Sequence, residues 1–100
     1  MHIENTRSKK ISGFFGALSH PTRLEIVTEL LGGEKCVADI QELTRLKQPN
    51  VSQHLFLLRS NDIVNWHQKG KRKCYYLINP KLIRSVLGAL KSNEDWDSAK

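Results

Sequence analysis

Three groups of residues carry side chains able to do chemistry. The run Gln48-Pro49-Asn50-Val51-Ser52-Gln53-His54-Leu55 commits only Val51 and Leu55 to an apolar face. Its remaining amides, hydroxyl and imidazole have the reach to meet base edges and phosphate oxygens; Asn and Gln pair bidentately with adenine. Lys47 to Ser60 contains no Asp or Glu but holds Lys47 and Arg59, and Arg59 stands where it can reach a phosphate. A second group, Lys69, Lys71, Arg72 and Lys73, places four cations in five residues around Gly70. Such a tip suits a phosphate backbone or a minor groove. The third group is the thiols of Cys36 and Cys74.

Each group has a plainer reading. Polar residues on a helix can simply face water, although a solvated face usually mixes charge signs. Lysines at a hairpin tip can protect a sheet edge, but four exceed what that requires. Free cysteines are most often small buried hydrophobes. Catalysis is not expected: the cysteines lack a C-x-x-C spacing, there is no Gly-rich phosphate loop, and no Ser/His/acid set converges.

The surrounding pattern supplies the elements that must hold these groups. Met1 to Lys10 reads as a loose basic arm. Ile11, Phe14, Phe15 and Leu18 then mark one apolar helical face, which Gly13 and Gly16 weaken. His20 reads as a capping residue, and Pro21 opens a second helix with Leu24, Val27, Leu30 and Leu31 that stops at Gly32-Gly33. A short extended piece, Glu34 to Val37, leads into a third helix with Val37, Ile40 and Leu43 inward. The fourth helix opens at Gln48-Pro49, with Val51, Leu55 and Leu58 facing the core. Asp62 to Trp66 and Lys73 to Ile78 read as strands of a hairpin around the basic turn. Asn79-Pro80 starts a last helix with Leu82, Ile83, Val86, Leu87 and Leu90, and Asn93 to Lys100 reads as a frayed tail. This predicts a mainly α domain with a small β-hairpin, a winged helix-turn-helix, over residues 11–92.

Composition agrees. One hundred residues with 39% hydrophobic content fit a single small core. Sixteen Lys plus Arg against ten Asp plus Glu leave a net charge of +6, which favours a polyanionic partner. No apolar run approaches the ~18 residues of a membrane span, no secretory signal is evident, and two cysteines form no disulfide framework, so a cytoplasmic location is expected.

Leu18-Ser19-His20-Pro21-Thr22-Arg23-Leu24-Glu25-Ile26, the Gln48 to Leu55 run, and Leu58-Arg59 before Ile63-Val64 resemble the ArsR/SmtB family of bacterial transcription regulators. The likeness runs from about Ile11 to about Leu90. It implies a homodimeric repressor that leaves a double-stranded DNA operator when an inducer binds. It also implies that the first and last helices pair across a two-fold axis through Ile11, Phe14, Phe15, Leu18, Leu82, Ile83, Val86, Leu87 and Leu90. The expected DNA-contacting set is Gln48, Asn50, Ser52, Gln53, His54, Arg59, Lys69, Lys71, Arg72 and Lys73. One departure is Arg45, which replaces the usual small or glycine residue of the helix-turn-helix connection.

The resemblance raises the question of a sensor. A zinc-type site on the last helix is not expected, because Pro80 to Lys100 contains no histidine. An arsenite-type thiolate cluster has Cys36 but then Ala38. In winged helices the extended piece around Cys36 pairs with the returning strand that carries Cys74, within disulfide range. The two form either a redox switch or, with His67 or a group of a second protomer, a metal or metalloid site; inert burial is the alternative. Such an ion at the thiols is the one cofactor in view. The competing function is a winged-helix protein-interaction module without operator binding.

Overall fold

The computed structural model describes residues 2–91. Its elements in chain order are α1 (His2–Leu18), α2 (Pro21–Leu30), β1 (Lys35–Cys36), α3 (Val37–Thr44), α4 (Gln48–Ser60), β2 (Val64–Lys69), β3 (Arg72–Leu77) and α5 (Pro80–Lys91). The expected tail over 93–100 lies outside the described residues.

The expected loose arm is corrected. From His2 onward those residues are the first turns of α1. No Gly or Pro interrupts this stretch, and its Arg and Lys are good helix formers, so the helix propagates past the start of its apolar face. Gly13 of α1 lies where a Cβ would meet the Asn61 side chain just past α4, so the two helices approach closely there.

His20 caps α2 as expected: its Nδ1 accepts the Thr22 N–H at 3.0 Å, with Pro21 just inside the helix. The α3–α4 connection turns on Arg45, whose φ of 59° is left-handed, the conformation that usually selects glycine. Its N–H donates to Gln41 O at 2.7 Å, closing α3. The three strands form an antiparallel sheet in the order β1-β3-β2. Register places Cys36 opposite Cys74, and Cys74 opposite His67.

Ile26, Val27, Leu30, Ile40, Val51, Leu55, Leu58 and Ile63 build the core beneath these elements. α4 therefore turns Val51, Leu55 and Leu58 inward, as their spacing predicts, and leaves its other faces outside.

The apolar stripes of α1 and α5 divide in two. Leu18 and Ile83, expected at a contact between copies, are buried in the protomer's own core, and Phe14 and Leu87 pack partly against it. A helix flanking so small a core must give it part of its apolar face. Ile11, Phe15, Leu82 and Leu90 remain outside, at 51%, 56%, 44% and 45% exposure. Ile11, Phe14, Phe15, Leu82 and Val86 line one apolar hollow between the two helices.

Candidate nucleic-acid interface

α4 starts at Gln48 after Lys47, with Pro49 in its first turn and no side chain capping its N-terminus. Gln48, Asn50, Ser52 and Gln53 are exposed on its outer faces. On the side toward the hairpin, Gln48 and Ser52 join Lys71, Arg72 and Lys73 around a cleft of about 340 Å³. Cys36 and Tyr75 also line this cleft. The probe helix and the cationic wing thus share one concave, positively charged surface.

Arg59 and Lys73 are organised by a residue that sequence reasoning left as a strand former. The Trp66 ring has Lys73 Nζ 4.1 Å and Arg59 Cζ 5.5 Å from its centre. Both cations gain from the ring face while their charge stays outside. Trp66 therefore couples the end of α4 to the wing.

Lys69 is placed differently from the other wing cations. Glu34, in the turn before β1, bonds both Lys69 Nζ and His67 Nε2, the latter at 2.7 Å. The hydrogen bond from Lys69, and then that from His67, hold the Glu34 carboxyl below the usual carboxylate range. The charge of Lys69 is thereby compensated, whereas Lys71, Arg72 and Lys73 make no ion pair among the described residues.

His54 is half-buried at the boundary between α4 and α2. Its Nδ1 lies 3.2 Å from Arg23 Nη1, and Arg23 Nε donates to Ala17 O at 2.7 Å. Burial above all, then electrostatic interaction with His20 and Arg23, pushes the His54 imidazole below its ordinary value. This residue positions α4 against α2 more than it faces outward.

The two sulfurs are joined: Cys36 and Cys74 form a disulfide with Cα atoms 3.8 Å apart. Cys74 is fully buried and Cys36 partly so. The bond lies beside the cleft that holds the wing cations. Sequence reasoning missed Glu34 and Trp66 at this surface, and also Phe56, which is 67% exposed on α4. Only Phe56 had a signal available: it falls outside the Val51/Leu55/Leu58 period.

A family model described as bacterial regulatory proteins of the arsR family matches residues 20–65, from the α2 cap to the start of β2. The transcriptional repressor SdpR of Bacillus subtilis is 32% identical over 77 residues, covering 77% of this chain and 84% of that protein. The crystal structure of NolR from Sinorhizobium fredii superimposes with a TM-score of 0.77 at 28% identity, covering 87% of this chain and 86% of that one. A homodimeric winged helix-turn-helix DNA-binding domain from Mycobacterium bovis shares the fold, with a TM-score of 0.76 at 22% identity over 91% of both chains. With the helix pair, the wing and these relatives in agreement, the chain belongs to the arsR family of bacterial regulatory proteins, which are transcription regulators rather than enzymes.

Proposed function

We propose that this protein is a repressor that binds a palindromic operator as a homodimer and responds to oxidation of Cys36 and Cys74. The observation that carries operator binding is the cleft shared by Gln48 and Ser52 of α4 and by Lys71, Arg72 and Lys73 of the wing. In this reading Gln48, Asn50, Ser52 and Gln53 meet base edges, and Arg59 and the wing cations meet phosphates. Exposed Ile11, Phe15, Leu82 and Leu90 supply the contact between copies, as a homodimeric fold neighbour supports. Two probe helices on a two-fold axis would enter successive major grooves about 34 Å apart.

The disulfide supports the redox part. In the reduced protein two thiols face each other across the β1–β3 pair. A hydroperoxide takes their two hydrogens and two electrons, forms the S–S bond and leaves as alcohol and water. β3 runs unbroken from Arg72 to Leu77, so a change at the Cys74 sulfur is felt at Arg72 and Lys73 on the same strand. A metal at this place has weaker support: among the described residues no three His, Cys, Asp or Glu side chains are grouped to hold an ion.

Fluorescence anisotropy with a duplex selected from a random pool tests the reading. Affinity should fall steeply with salt, because each neutralised phosphate releases counterions. Gln53→Ala should relax sequence preference while Arg72→Ala weakens every duplex alike. Diamide should change wild-type affinity and leave Cys36→Ser unaffected. A protein-interaction module would instead give a flat salt response and select no sequence.

A further inference from the structure

Phe56 is the most exposed large apolar side chain among the described residues, at 67%. Such exposure on a helix without acidic residues calls for an apolar partner. At 100° per residue, Phe56 lies three and four positions from Gln53 and Ser52, so its side chain shares their stripe of the helix. The buried stripe of Val51, Leu55 and Leu58 points the other way. Phe56 lines a hollow with Gln53, Leu57, Arg23 and His54, beside the cleft that the wing cations share with Gln48 and Ser52. Around Phe56, α4 carries no acid, its last turn holds Arg59, and Arg23 of α2 lines the same hollow.

Resting on the DNA-binding reading above, we propose that Phe56 is a specificity-determining residue that packs on the 5-methyl group of a thymine in the major groove. That methyl is the one apolar group a base pair offers along this edge. Phe56 lies four residues, about 6 Å of helix rise, beyond Ser52. With base steps of about 3.4 Å, it meets a base pair about two steps from those read by Ser52 and Gln53. The charge around it disfavours a basic or neutral apolar protein surface as the occupant and favours a polyanion carrying an apolar group.

The experiment selects duplexes from a random pool with wild-type protein and with Phe56→Ala in parallel. Each thymine of the wild-type duplex is then replaced singly by deoxyuridine, which removes only the methyl. The expected result is one thymine per half-site that Phe56→Ala no longer selects. Deoxyuridine there should weaken wild type about fourfold, the worth of one buried methyl group, and leave Phe56→Ala unchanged. The proposal is overturned if both proteins select the same sequence or if no deoxyuridine weakens wild type. Failure of wild type to select any sequence would remove the DNA-binding reading beneath it; normal selection with silent deoxyuridines removes the Phe56 assignment alone.

Discussion

The imidazole rings of His20 and His54 meet at a tilt of 50° with centroids 4.6 Å apart, joining the cap of α2 to the middle of α4. Burial first, then the neighbouring His20 and Arg23, lower the His54 value, so folding favours the neutral ring. The unfolded chain takes up a proton first as pH falls below about 6.5. The contribution of His54 to stability is thus complete above that value and is lost as pH falls through the depressed folded value. Thermal melts between pH 8 and pH 5 should show a fall in Tm that is smaller in His54→Asn. Parallel curves for the two proteins would contradict this account.

Glu34 compensates the charge of Lys69 and engages His67. Glu34→Gln should release one wing cation to the phosphates. Affinity should rise on every duplex, and the slope of log K against log salt should steepen by about 1. An unchanged slope would mean that Lys69 does not reach the backbone even when freed.

Trp66 holds Lys73 and Arg59 over its ring, and its buried Nε1 has no hydrogen-bond partner. Trp66→Phe keeps an aromatic face and removes that unpaired donor, so both Tm and affinity should change little. Trp66→Leu removes the face and should weaken binding about fivefold across all sequences, given about 0.5–1 kcal/mol for each cation–π contact. Equal losses in the two variants would assign Trp66 to packing alone.

Arg45 occupies a left-handed conformation, at φ 59°. Arg45→Gly relieves about 1 kcal/mol of backbone strain and returns part of it as unfolded-state entropy. The net gain should be about 0.5 kcal/mol, read as a rise in Tm of about 2–4 °C. A fall in Tm would show that the arginine side chain contributes more than its backbone costs.

Local patterns made the fold legible. The Val51/Leu55/Leu58 spacing, the His20-Pro21 cap and the strand-like run on either side of Gly70 each report a short-range preference that packing did not override. The meeting of Cys36 with Cys74 followed from strand pairing across 38 residues. The start of α1 was hidden because the charge of Lys9 and Lys10 describes solvent exposure, which a surface helix shares with a loose arm. Leu18 and Ile83 could not be told from their exposed neighbours, since period alone does not say whether a stripe packs inward or against a second copy. The Glu34–Lys69 pair joins side chains 35 positions apart through a turn whose path is set by tertiary packing.

The bond between Cys36 and Cys74 also changes the topology of the polypeptide. Everything between them, α3, α4 and β2 included, becomes a macrocycle. A protease that nicks one peptide bond inside this cycle leaves a single covalent species, and two fragments separate only after reduction. In the oxidised form the DNA-reading half of the protein can therefore be cut without coming apart.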